Sequence, residues 1–334
     1  MNDLKLFRQI NQLFKQHNLE PPVHPLKPVT GGLMHTMYQV RTEHNHYAVK
    51  ELNSSIMQRS GVIRNIVNSE RIAQAFHGIV PAAAAVWFDD NPLLMLEGRY
   101  YLIFDWLDGA AVYPPHITPD HCMQMGTLLG KMHSAGIQVP GIQREAGNAE
   151  RYDWNQHLLS GQALNKEWID ELSQMIRDLA SWNQETCAAC HELRDNLVLS
   201  HRDMDPKNVL WENNRPSIID WEAAGYVNPY QDLLERLNDW SDQGNGQPDQ
   251  VKFIAFYHAY TSIAGKCPVN WDMALAAGFA GMLGWLDYSF KRSLGIEAAS
   301  LEERELGTKQ AMATMKALKR YDRQRTLLKN WLEE

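Results

Sequence analysis

Positive charge is in deficit in this chain of 334 residues: 32 Lys and Arg stand against 40 Asp and Glu, a formal net charge of -8. Proteins that grip nucleic-acid backbones carry the opposite balance, so nucleic acid drops out as an expected partner. An acidic surface suits a cationic substrate instead. Cysteine is scarce, with Cys122, Cys187, Cys190 and Cys267 as the whole complement, which excludes a disulfide scaffold. Cys187 and Cys190 form a CxxC without a second ligand pair, inside a helical context, and read as one buried helix face rather than a metal site. Long hydrophobic runs are also missing. The longest, residues 273–286, has 14 residues and reads as a buried core helix, because a membrane span needs about 20. The N-terminal MNDLKLFRQINQLFKQH lacks the apolar stretch of a signal peptide. The expectation is a cytoplasmic protein with no membrane partner. Repeats and low-complexity tracts are absent too.

The length implies two domains or two lobes, and hydrophobic residues at 44% are enough to build a core. A helix is expected over residues 3–17, ended by PPVHPLKPV. Short strands follow at 26–29, 37–41 and 47–52. Residues 55–77 have helical periodicity through Ile56, Ile63, Ile66, Val67, Ile72 and Ala73, with Gly78 as a stop. Strands at 84–88 and 100–106 complete a small sheet with one inserted helix. Beyond residue 107 the pattern turns helical, at 118–135, 165–195, 228–239, 248–264, 271–292 and 300–331, interrupted by a hairpin at 209–221. The expected fold class is α+β: a β-rich lobe over 1–107, a helical lobe over 108–334, and a site in the cleft between them.

The densest chemistry lies in LSHRDMDPKNVLW (199–211) and SIIDWE (217–222). Two strands, 209–211 and 217–219, flank the turn Asn213-Asn214-Arg215-Pro216. That hairpin brings Asp203, Asn208 and Asp220 to one end. Phosphoryl transfer needs a metal holder, a group on the attacking hydroxyl, a cation on the phosphates and something to fix that cation. Asp220 can hold Mg²⁺, a hard cation that prefers oxygen, and Asn208 can add a neutral oxygen. Asp203 can accept the hydroxyl proton. A lone Asp is more often a solvated carboxylate or an N-cap; Asp203, Asn208 and Asp220 together, bracketing a hairpin, are harder to explain that way. Upstream, HYAVKEL sets Lys50 in an apolar strand, where a lysine needs a partner. Between residues 52 and 88 the only acidic residue on the expected helix is Glu70, so a Lys50–Glu70 pair is expected.

These motifs, with TGGLMHTMYQV (30–40), SERIA (69–73), YLIFDWLDG (101–109) and MGTLLGKMHSAG (125–136), resemble the aminoglycoside phosphotransferase family of small-molecule kinases. The HxDxxxxN spacing followed by IDW carries most of the likeness. The resemblance implies a two-lobed protein-kinase-like fold with a nucleotide-binding N-terminal lobe. It makes Asp203 the catalytic base, Asn208 and Asp220 the Mg²⁺ ligands, and Lys50 the phosphate contact positioned by Glu70. Asp105 to Leu107 would be the hinge that meets adenine, and His201 a structural histidine of the catalytic loop. ATP is the implied donor, with GTP equally compatible.

Two departures shape the reading. Gly31-Gly32 stand where no GxGxxG exists, though adjacent glycines still let backbone approach phosphate. Asp220 precedes Trp221-Glu222 rather than Phe-Gly, and no APE-like anchor follows, which favours a small-molecule hydroxyl acceptor over a protein. Candidate acceptor walls are Asp205, Glu222, Tyr226, Trp285, Asp287 and Tyr288. Asp287 among aromatics suits an amine; its pairing with Lys291 at i+4 is the stronger reading of the two. The family's acceptors include aminoglycosides, choline, homoserine and methylthioribose. A protein Ser/Thr kinase and a non-catalytic nucleotide-binding module remain as alternatives.

Overall fold

The computed structural model describes residues 2–23, 25–29, 35–145, 149–298 and 300–334. Gly31 and Gly32 lie outside the described residues. The chain divides into two compact units. The first holds Met1–Tyr113, Ala135–Gln143 and Leu199–Gly225; the second holds Pro114–Ser134, Arg144–Val198 and Tyr226–Glu334.

The first unit begins with helix α1 (Asn2–Gln16) and is built on strands β1 (Lys27–Val29), β2 (Thr36–Arg41), β3 (His46–Glu51), β4 (Leu94–Leu96) and β5 (Arg99–Asp105). They form an antiparallel sheet in the order β1-β2-β3-β5-β4. Side chains alternate across it. Tyr47, Val49, Tyr101 and Ile103 pack with Ile10, Leu13 and Phe14 of α1. Leu52 and Leu102 pack on the opposite face with Met57, Ile66 and Ala85. Lys50 pairs with Leu102 across the ladder and so shares that second face. An ammonium is thereby held on the face of the sheet that packs with Met57, Ile66 and Ala85.

The single helix expected at 55–77 is two, α2 (Ser54–Met57) and α3 (Val62–Phe76), parted by Gly61 with φ +80°. Residues 84–88 form no regular strand. Ala83 donates to Ile218 O at 2.9 Å and Val86 to Ile103 O at 2.7 Å, so the segment splits its bonds between two sheets. The strand at Leu94–Leu96 arises after Asp89 and Asp90 take left-handed turns. The hairpin is tighter than expected: strands Val209–Glu212 and Arg215–Ile218 pair, and Asn213-Asn214 alone form the turn, both at positive φ. Pro216 sits within the second strand, at the sheet edge, where a missing N–H is tolerated.

The second unit is helical: Pro119–Ser134, Trp154–Ala163, Ile169–Leu193, Pro229–Ser241, Gln250–Ala264, Trp271–Ala277, Phe279–Leu294 and Leu301–Glu333. The apolar run at 273–286 spans two of these, separated at Gly278. Helix Trp154–Ala163, capped by Asp153, was not expected; it is short and only weakly amphipathic. No helix among the described residues is long and apolar enough to cross a membrane.

MGTLLGKMH has a packing role. A Cβ on Gly126 would sit 2.2 Å from Phe256 O, and one on Gly130 3.0 Å from Tyr260 O. The backbones of Pro119–Ser134 and Gln250–Ala264 approach through these glycines. Gly126→Ala gains about 1 kcal/mol of helix propensity but forces that approach apart at a cost of about 1–3 kcal/mol. The contact falls on backbone, which cannot swing away, so the second effect wins. Gly126→Ala should lower the melting temperature by several degrees in thermal denaturation; an unchanged or raised value would contradict this account.

Candidate active site

The site residues of the first unit converge through the backbone of Ile219. Its N–H donates to Asn208 O at 2.9 Å, and its carbonyl accepts from His201 Nε2 at 2.9 Å. His201 is fully buried, and its Nδ1 accepts the Asp203 N–H at 3.2 Å, which fixes the proton on Nε2. Trp221 packs edge-on against His201, stacks on Phe76 and donates to Ile218 O. The aromatic of IDW is thus a core wedge that holds the turn after Asp220. Asp220 itself lies in the left-handed region, φ 60° and ψ 63°. Backbone strain of this kind concentrates where surroundings dictate a side chain's aim.

Asn208 donates through Nδ2 to both the carbonyl and the carboxylate Oδ2 of Asp203, at 2.8 and 2.9 Å. With both amide hydrogens turned onto Asp203, Oδ1 is the atom left to ligate a cation. Asp203 Oδ1 receives Lys207 Nζ at 3.2 Å, and Asp205 Oδ2 receives the same nitrogen at 2.5 Å. Asp205 therefore sits within the loop of residues 201–208, already paired.

Lys50 is 7% exposed. Its Nζ lies 2.9 Å from Asp220 Oδ1 and 2.5 Å from Glu222 Oε1. Burial alone would depress its pKa, but the two carboxylates raise it, so it is firmly ammonium. The expected Lys50–Glu70 pair is corrected: Lys50 bonds Asp220 and Glu222. Glu70, on α3 and almost fully buried, accepts the Ala85 N–H at 2.8 Å. Burial pushes its carboxyl up to about 7, against the pull of that N–H and of Lys50. Two carboxylates from one turn reach Nζ first, and a third would add repulsion.

Glu222 had been expected only as an acceptor wall. Burial raises its pKa, yet a His35 hydrogen bond and the Lys50 charge prevail and hold it near 2. His35 Nδ1 accepts the Asn53 N–H at 3.0 Å, and its Nε2 lies 3.3 Å from Glu222 Oε2. His35 stands three residues past Gly32, and nothing in its sequence setting pointed to Glu222. At the expected hinge, Asp105 pairs with Tyr47 at the end of the ladder, and Trp106 N–H closes onto His46 O at 2.9 Å. Leu107 comes immediately after that last bond. Among the described residues no cluster of three His, Cys, Asp or Glu is set to hold a metal.

The remaining candidates belong to the second unit. Tyr226 is buried, and Trp285 is half-exposed with its ring 5.6 Å from Tyr288. Asp287 receives His157 Nε2 at 2.8 Å and Lys291 Nζ at 2.6 Å. Burial opposes its ionisation, but these two donors bring its pKa below the usual range. Both oxygens are occupied, so the i+4 pairing with Lys291 is the one formed.

The model of the phosphotransferase enzyme family matches residues 25–265. The chain belongs to the phosphotransferase enzyme family. It is 23% identical over 285 residues to a homoserine kinase of Polaromonas naphthalenivorans, covering 84% of this chain and 87% of that one. A spectinomycin phosphotransferase solved with ADP and spectinomycin superposes with a TM-score of 0.70 at 14% identity, covering 94% of this chain and 98% of that one. An amicoumacin kinase solved with AMP-PNP and Ca²⁺ gives 0.60 at 14%, covering 94% and 96%. These two likenesses show the shared kinase-like fold.

Glu70 yields a prediction with a definite sign. Its folded pKa, about 7, lies above the ordinary value of 4.5. Between those values the folded state binds the extra proton, so stability is full below the lower one and falls as pH rises through the upper one. The total is about 3 kcal/mol. Glu70→Gln keeps an oxygen for Ala85 and removes the titration. Its melting temperature relative to wild type should therefore improve from pH 5 to pH 8; a parallel pH dependence would refute the shift.

Proposed function

We propose that the protein is an ATP-dependent small-molecule kinase that transfers the γ-phosphate to a hydroxyl. The observation that carries this reading is the linkage Asp203–Asn208–Ile219–Asp220–Lys50, three hydrogen bonds at 2.9 Å joined by the Ile219–Asp220 peptide bond. Asp203 orients the acceptor hydroxyl and takes its proton. The O–H bond breaks, the acceptor oxygen bonds to the γ-phosphorus, and the bond to the bridging oxygen breaks with its electron pair leaving on ADP. Lys50 offers its ammonium to the phosphates, and Glu222 holds its position. Asp220 and Asn208 Oδ1 would hold Mg²⁺, which supplies neutralisation of phosphate charge. Gly31 and Gly32 offer backbone to the phosphates, and Asp105 to Leu107 offer backbone to the base. The same phosphate contacts would serve GTP.

The acceptor is a small hydroxylated molecule. Relatives named for homoserine, spectinomycin and amicoumacin support an amine-bearing one. Asp205, Glu222, Tyr226, Trp285 and Asp287 remain the candidate walls. Since Asp205 and Asp287 are each engaged by a lysine of the chain, a cationic acceptor would compete with Lys207 or Lys291 for them.

Phosphoryl transfer from Mg-ATP, screened over homoserine, amino alcohols, aminoglycosides and a generic protein, tests this. Asp203→Ala should cut kcat by about 10²–10⁴-fold and leave Mg-ATP binding by calorimetry within a few-fold. Full turnover in the variant would remove Asp203 from its role. Transfer to the protein alone would favour a protein kinase.

A further inference from the structure

Lys207 is the residue of the catalytic loop that the family reading leaves without a task. Asp205 grips it at both ends: Oδ1 accepts the Lys207 backbone N–H at 3.0 Å, and Oδ2 accepts Nζ at 2.5 Å. The short helical turn Pro206–Asn208 holds the stem between those two points. So fixed, the ammonium reaches Asp203 Oδ1 at 3.2 Å while Asn208 occupies Oδ2. We propose that Lys207 is a positioning residue for phosphoryl transfer: clamped by Asp205, it locks the Asp203 carboxylate in the plane that faces the acceptor hydroxyl.

The plain alternative is a solvated ion pair, since the Lys207 side chain is 52% exposed. Such pairs are worth little because both side chains stay free to wander. This one is not free. A carboxylate held by one neutral amide still pivots; a charge-assisted bond on the second oxygen stops the rotation. Two of the three ammonium hydrogens serve Asp203 and Asp205. Positioning is what phosphoryl-transfer enzymes chiefly supply. The proposal rests on the kinase reading with Asp203 at the hydroxyl.

The test uses Lys207→Met, Lys207→Arg and Asp205→Asn in the full chain. ADP formation from Mg-ATP is measured alone, with homoserine and with the other acceptors of the panel. Exposure of the side chain predicts unchanged melting for Lys207→Met. Its kcat should fall about 10- to 100-fold with KM for Mg-ATP within about twofold. Lys207→Arg should recover much of the loss, because a guanidinium can also bridge two carboxylates, and Asp205→Asn should fall between. A Lys207→Met kcat within twofold of wild type overturns the proposal. So does a raised KM at constant kcat, which would mark a ground-state contact, or equal loss in the Met and Arg variants with lowered melting, which would mark a structural role. A wild type that forms no ADP with water or with any acceptor of the panel overturns the kinase reading itself, and this role with it.

Discussion

Everything at this site depends on the backbone of one residue being bound on both sides. Ile219 gives its N–H to Asn208 and its carbonyl to His201, so the catalytic loop and the residue before Asp220 cannot separate without losing two buried hydrogen bonds. Leaving those groups unpaired costs about 1–3 kcal/mol each. The constraint also explains the backbone of Asp220. With Ile219 pinned and the Trp221 ring wedged against His201 and Phe76, the chain must reverse within a single residue, and the left-handed conformation at φ 60° achieves it. Asp is among the residues that tolerate that region best. The side chain is then delivered to Lys50 rather than left to find it.

How much of this was legible followed from how local each cause is. The hairpin end was readable because register is local: strands flanking a polar turn must align, so residues just outside them meet. Even the tighter turn was latent in Asn213-Asn214, since paired Asn residues accept positive φ. The break at Gly61 was equally local and was overridden by the apolar period on either side. Residues 84–88 were misread for a different reason. Their apolar pattern is real, but Ala83 and Val86 donate to two different sheets, which no one-dimensional pattern encodes.

The choice of partner for Lys50 was the least legible feature. Only one acidic residue stood on the expected helix, and that made Glu70 look forced. Spatially, however, Glu222 arrives from a turn about 170 residues away, a separation the Lys50–Asp220 bond also spans. Lys207 had been in plain view within DPKN, yet nothing in the pattern said that Asp205 would hold both its ends. Local rules located the chemistry; which charges neutralise which was a tertiary matter.

That tertiary answer has a physical logic. Burying an ammonium uncompensated costs several kcal/mol, so Lys50 must have counter-charge at all times. Asp220 and Glu222 supply it from a single turn, and both side chains retain some exposure, at 43% and 24%. Glu70 lies deeper, with its carboxyl pushed up to about 7. Deep burial and a neighbouring pair of anions make it a poor permanent partner and an easily neutralised one. Under the proposed function, a metal-bound nucleotide would bring a cation for Asp220 and anions for Lys50 together, so the pair would part without either charge being stranded. Buried charges that can exchange partners in one step avoid the penalty that would otherwise oppose binding. By this argument the short contacts around Lys50 are the arrangement that keeps its site both stable and open to exchange.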